Sequence, residues 1–188
     1  MAEANPAVSE FQSDLVAAYG SLSELEARVG QLPEALDSAR RGIAAARKLV
    51  ASSPKLTRFR VRLAYVLTAE GRVEEKLGRR AEAEGSLREA IATNQAIPPL
   101  ARSTTNDYSL ACEHTLLAGL LAGSGPAAAG EARAEGDRAM EVLRRSVADG
   151  YRNLALMRSD TDLDALRPRP EFQALLMDLA FPDRPFAP

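Results

Sequence analysis

The sequence has no Trp, one Cys and one His among its 188 residues, and its aromatics make up only 5%. Few aromatic side chains means few platforms on which bases could stack. The single cysteine, Cys112, excludes an internal disulfide and fits a reducing compartment. One Cys and one His also leave a zinc site short of its usual four ligands. An excess of either charge is missing too. Lys and Arg total 24 against 26 Asp and Glu, a formal net charge of −2. No overall field therefore draws the chain to nucleic acid or to an anionic lipid surface. No apolar run approaches the ~18 residues that a membrane span requires. The opening Met1-Ala2-Glu3-Ala4-Asn5-Pro6 lacks the basic and apolar regions of a signal peptide. These absences predict a cytoplasmic chain with no cofactor, no nucleic-acid partner and no membrane partner.

What the chain does have is an internal repeat. Asn5-Pro6, Phe11, Leu15, Gly30, Glu34-Ala35, Ser38 and Ile43 recur as Ser53-Pro54, Phe59, Leu63, Gly78, Glu82-Ala83, Ser86 and Ile91, every pair offset by 48 (54 − 6, 78 − 30, 91 − 43). Self-similarity at such a period marks one supersecondary unit stacked on its copies.

Phe11, Leu15, Ala18, Leu22, Leu25 and Val29 fall at spacings of 4, 3, 4, 3 and 4, the stripe of an amphipathic helix. Gly30 ends it and Leu32-Pro33-Glu34 opens a second helix striped by Leu36, Ala39, Ile43, Ala46 and Val50. In the second copy, Phe59-Arg60-Val61-Arg62-Leu63 alternates like a strand. The aligned first copy does not alternate, and Phe59, Leu63, Val66, Val73 and Leu77 restore the helical stripe. The reading is therefore a hairpin over about 9–51, a second over about 55–97, and a degenerate third over about 104–149. In the third, the breaker-rich 122–130 is expected to form a mobile loop, and Asp149-Gly150 a glycine cap. A cap over about 153–180 contains a helix from Pro170, and the proline-rich tail 181–188 is expected to fray.

These hairpins resemble tetratricopeptide repeats. The family's leucine-plus-small site reads Leu22-Ser23, Glu70-Gly71 and Leu110-Ala111; its turn glycines are Gly30 and Gly78. Its paired small sites read Ala35 and Gly42, Ala83 and Ala90, Ala139 and Ser146. The period of 48 is longer than the family's usual one, and Glu70 stands at a leucine site. The resemblance implies one all-α right-handed solenoid of three hairpins plus a C-terminal capping helix, a non-enzymatic scaffold binding a partner protein or peptide in a concave groove. On this resemblance the groove is lined by Glu24, Arg28, Tyr65, Thr68, Arg72, Lys76 and Tyr108. The family's carboxylate-clamp positions hold Gly20 and Glu24, so that clamp is absent, and Arg72 with Lys76 would suit an acidic peptide. The segment from Asn5 to Leu15, the run Tyr108–Cys112 and the ending Asp162–Leu176 also resemble the C-terminal arrays of bacterial serine/threonine kinases. None of the kinase motifs is present, so the alternative is a non-catalytic, regulatory or self-associating region of such a protein. The chain opens on what looks like a repeat junction, which predicts a sticky first helix and self-association through the N-terminal hairpin.

Other clusters read as ordinary structure. Cys112 and His114 could suggest a small-molecule or enzymatic site, yet helical residues two apart share no face. His114 is expected half-buried and satisfied, and Cys112 a packing residue. Asp160, Asp162 and Asp164 resemble half a calcium loop without its glycine or closing glutamate. Glu24–Arg28 and Glu84–Arg88 have the i,i+4 spacing of solvated helix pairs, and Arg58, Arg60 and Arg62 suit a mixed-charge surface.

Overall fold

A computed structural model describes residues 6–181. Among the described residues there are eight α-helices and no strand. They are α1 (Pro6–Arg28), α2 (Leu32–Ser52), α3 (Thr57–Lys76), α4 (Arg80–Gln95), α5 (Thr104–Ala122), α6 (Ala129–Ala148), α7 (Leu154–Ser159) and α8 (Pro170–Ala180). Short 3₁₀ helices occupy Pro99–Ala101, Pro126–Ala128 and Thr161–Leu166. Contacts divide the chain into two compact units, Met1–Ala101 and Arg102–Pro188. The opening residues and the tail beyond Phe181 fall outside the described residues, together with the expectations made for them.

The first unit holds two helical hairpins, α1–α2 and α3–α4, with α3 packed on both α1 and α2. The alternating segment from Phe59 is helical, as the repeat required. Both hairpins turn on a glycine in the left-handed region, Gly30 at φ 82° and Gly78 at φ 74°. After α3, Arg79 N–H donates to Glu74 O (2.8 Å) and Gly78 N–H to Glu75 O (2.9 Å). That pattern consumes two of the carbonyls a helix end leaves orphaned. After α1, Gln31 N–H makes the equivalent bond to Glu26 O at 2.9 Å.

The small sites lie where helices meet. Ala35, Ala83, Ala90, Ala139 and Ser146 have no exposed surface. A Cβ added to Gly42 would lie 3.0 Å from Val66 Cγ1 and 3.1 Å from Tyr19 Cβ. Such closeness admits no larger residue without displacement. The main core of this unit sets Phe59, Leu63, Val66 and Leu67 of α3 against Ile43, Ala46 and Leu49 of α2 and Val16 of α1. Each large side chain sealed there contributes about 1.5–3 kcal/mol.

Helix α1 differs from α3 in the face it buries. Its apolar stripe faces outward: Phe11 is 72% exposed, Leu22 44%, Leu25 56% and Val29 72%, whereas Phe59 is sealed at 0% and Val73 at 2%. The face that α1 turns inward carries Ser9, Ser13, Val16, Gly20 and Ser23. Small residues belong there because the approach is close: a Cβ on Gly20 would lie 2.2 Å from Tyr65 Cε1. Helix α3 buries both kinds of face, its stripe against the first hairpin and Gly71 against Leu87 of α4. Among the described residues, helix α1 packs against α2 and α3, and its outward stripe stays largely exposed.

The second unit pairs α5 with α6, and packs the Thr161–Leu166 turn against both and α8 against α6 and α7. A capping box opens α5: Asn106 N–H donates to Ser103 Oγ (3.2 Å) and Ser103 N–H to Asn106 Oδ1 (3.0 Å). The loop expected over 122–130 is shorter than that. Helix α5 runs through Ala122, a 3₁₀ turn spans Pro126–Ala128, and α6 begins at Ala129. The alanines after Pro126 favour helix strongly enough to carry Gly130 inside the first turn. The Asp149-Gly150 cap forms as expected, with Tyr151 N–H donating to Ser146 O at 2.9 Å. Asn153 caps α7, and Met157, Leu163, Leu166 and Phe172 are completely buried.

Candidate functional site

Of the residues expected to line a groove, Glu24 and Arg72 satisfy one another. Arg72 Nη1 reaches Glu24 Oε1 at 3.0 Å, so Glu24 pairs across to α3 and not with Arg28, four residues along its own helix. Tyr65 lies half-buried over Gly20 with its hydroxyl 3.5 Å from Ser21 Oγ. Burial, first of all, pushes its phenol pKa up, with the Glu24 carboxylate adding to the rise. Thr68 is buried and donates its hydroxyl to Ala64 O at 2.9 Å. Arg28 and Lys76 are exposed. Tyr108 belongs to the second unit and is buried, its ring stacked on Tyr151 with centroids 4.6 Å apart. Thr68 and Tyr108 therefore present no surface to a partner.

The polar clusters are hydrogen-bonded structure. Tyr108 OH donates to Asp160 Oδ2 at 2.8 Å, Asp162 N–H donates to Asp160 Oδ1 at 3.0 Å, and Cys112 Sγ lies 3.8 Å from Asp160 Oδ2. Burial, above all, drives the Tyr108 phenol far above its ordinary range, and the neighbouring Cys112 and Asp160 reinforce this. Ligand atoms of Cys112, Asp160 and Asp162 come within 4.8 Å of one another. Both carboxylate oxygens of Asp160 already serve to hold the Thr161–Leu166 turn to α5. His114 turns to a different neighbour, with Nδ1 2.6 Å from Glu135 Oε2, and Arg138 grips the other oxygen of that carboxylate. It is fully buried, more so than the sequence suggested, and desolvation lowers its pKa despite the opposing Glu135 carboxylate. Cys112 and His114 thus have separate partners and no shared site.

The basic residues behave as expected of a mixed-charge surface. Arg40 pairs with Glu70, Arg41 with Asp37, Arg47 with Glu89 and Arg58 with Glu10. Glu74 is nearly sealed, as are Asp107, Glu113 and Glu135. Burial raises the Glu74 pKa first and Glu70 adds to the rise, while the Ser86 hydroxyl and Arg40 oppose it.

The surface that groove reasoning passed over is the α1 stripe itself. Exposed apolar residues scattered singly are ordinary, whereas a continuous row along one helix marks an interaction site. The row here runs from Phe11 to Val29 with Glu10, Asp14 and Arg28 at its margins. Its signal was in the sequence as a stripe, but a stripe reports which face is apolar and not what covers it. Neither family models, nor curated proteins, nor solved structures provide a match to this chain.

Proposed function

We propose that this chain is a non-enzymatic helical-repeat scaffold of tetratricopeptide type that binds another protein, and that binding runs through the outward stripe of α1. One observation carries the reading. Phe11 and Phe59 hold the same position in two copies of one unit, yet the first is 72% exposed and the second 0%. A repeat that spends Phe59, Leu63 and Val73 on its neighbour presents the same chemistry unspent at Phe11, Leu15 and Leu25. The α1–α3 groove is a weaker candidate, because Glu24, Arg72 and Tyr65 already have partners within it.

Photo-crosslinking in the native cell tests this. A crosslinker in place of Leu25 should give a discrete protein adduct that is lost on Phe11→Ser with Leu22→Ser. The same group in place of exposed Arg79 should give none. Equal adducts from both positions, or none from position 25, would overturn the assignment.

A further inference from the structure

The outward face of α1 has an occupied counterpart in the same chain, and that counterpart indicates which kind of protein fits, given the reading above that this face docks one. A shift of 48 residues carries α1–α2 onto α3–α4. On the second hairpin the equivalent surface is filled by α2. Ile43, Ala46 and Leu49 cover Phe59, Leu63 and Val66. Arg40 reaches Glu70 at 3.1 Å and lies 3.8 Å from buried Glu74. The Glu74 carboxylate also accepts a hydrogen bond from Ser86 Oγ at 2.8 Å. Arg47 Nη2 donates to both oxygens of Glu89, at 2.7 and 2.9 Å.

The reverse shift sets Phe59, Leu63 and Val66 on Phe11, Leu15 and Ala18. It sets Glu74 on Glu26, Ser86 on Ser38 and Glu89 on Arg41. Glu26, Ser38 and Arg41 line a single cavity of about 410 Å³ between α1 and α2, together with Tyr19, Leu22 and Pro33. Within it, Oε2 of Glu26 is buried and accepts no hydrogen bond from any described residue. A carboxylate oxygen taken from water without a donor is costly to hold. A guanidinium placed as Arg40 is placed would stand within ion-pair reach of that carboxylate, as Arg40 stands 3.8 Å from Glu74, while Leu22 takes the place of its hydrogen-bonded partner Glu70. At the Arg47 position the requirement inverts, since Arg41 stands where Glu89 stood.

We infer that the open face takes a helical hairpin of this chain's own repeat type, docked by its second helix. That helix carries apolar residues at the positions of Ile43, Ala46 and Leu49, an arginine at the position of Arg40, and an acid in place of Arg47. A second copy of the chain lacks a free helix of this kind. Its α2 is spent on α3, and Ile91 and Asn94 of its α4, with Ile97 just beyond that helix, are buried.

The test places an in-frame copy of residues 6–53 ahead of Pro6 in the full chain, which regenerates the Ser-Pro junction found at Ser53-Pro54. One version keeps Arg47 in the added copy and the other carries Arg47→Glu there. Amide exchange over original residues 11–29 should slow by about tenfold with the Glu version and by less with the Arg version. Arg41→Gln in the original hairpin should remove most of the difference between them. Unchanged exchange in both fusions overturns the assignment, as does an unfused chain that dimerises with α1 equally protected. A discrete adduct from position 25 alongside unchanged fusions would leave the docking reading standing and defeat only the identity of the occupant.

Discussion

Replacing Phe59 and Phe11 by alanine, one at a time, probes the difference between the two copies most economically. Phe59 is sealed among Ile43, Leu49, Leu63 and Val66, and its removal leaves a void that packed neighbours on three helices can only partly close. Phe→Ala at such a site costs about 3–5 kcal/mol from lost transfer energy and cavity formation combined. Phe11 has 72% of its surface in water, so its truncation removes little burial. Surface changes of this kind stay within about 0.5 kcal/mol. Urea unfolding followed by far-UV circular dichroism measures both, with an unchanged denaturant slope as the check that only the native state has moved. The pair should be run at two protein concentrations, because burial of Phe11 in a self-associated form would make its cost grow with concentration. A Phe11→Ala cost more than half that of Phe59→Ala in the dilute monomer would refute the reasoning.

Other outcomes concern single sites. Gly78→Ala should cost about 1–2 kcal/mol, because φ 74° forces the added Cβ into the left-handed region, while no atom within 4 Å obstructs it; a melting curve decides. As the sole histidine, His114 gives one imidazole resonance, whose titration midpoint should lie below that of a model peptide; the group therefore contributes stability above the ordinary histidine range that is lost as pH falls through its lowered folded value. Glu74 has the opposite sign: with its folded pKa raised, its contribution is present below the ordinary carboxylate value and lost as pH rises through the folded one. Glu74→Gln should therefore stabilise at neutral pH and lose that advantage in acid, as read from denaturant midpoints against pH. Tyr108→Phe should cost about 1–3 kcal/mol by depriving Asp160 of its hydroxyl donor, with Asp160→Asn completing a double-mutant cycle that shows their coupling.

The parts of this fold that could be read in advance are those that local chemistry decides. Gly30 and Gly78 announced their turns because only glycine enters the left-handed region without strain. Ala35, Gly42, Ala83 and Ala90 announced close helix contacts because larger side chains would not fit. The strand-like alternation at Phe59 was overruled correctly, since its aligned copy shared the helical stripe without the alternation. Partner choice was another matter. Spacing suggested Glu24 with Arg28, but the nearer guanidinium in space is Arg72, on the next hairpin. Tyr108 has the composition of a groove residue, yet Tyr151 stacks on it from beyond α6. Both depend on contacts between distant segments, which periodicity does not encode. The same limit governed α1, where the stripe was legible but not what would cover it.

Side-chain oxidation by hydroxyl radicals tests the central claim most directly, because it reads exposure residue by residue in solution. In the free monomer Phe11, Leu22 and Leu25 should be modified readily while Phe59, Leu63 and Val73 resist, and the first group should become protected once the helical hairpin is supplied by fusion. Protection of Phe11 equal to that of Phe59 in the free monomer would contradict the account.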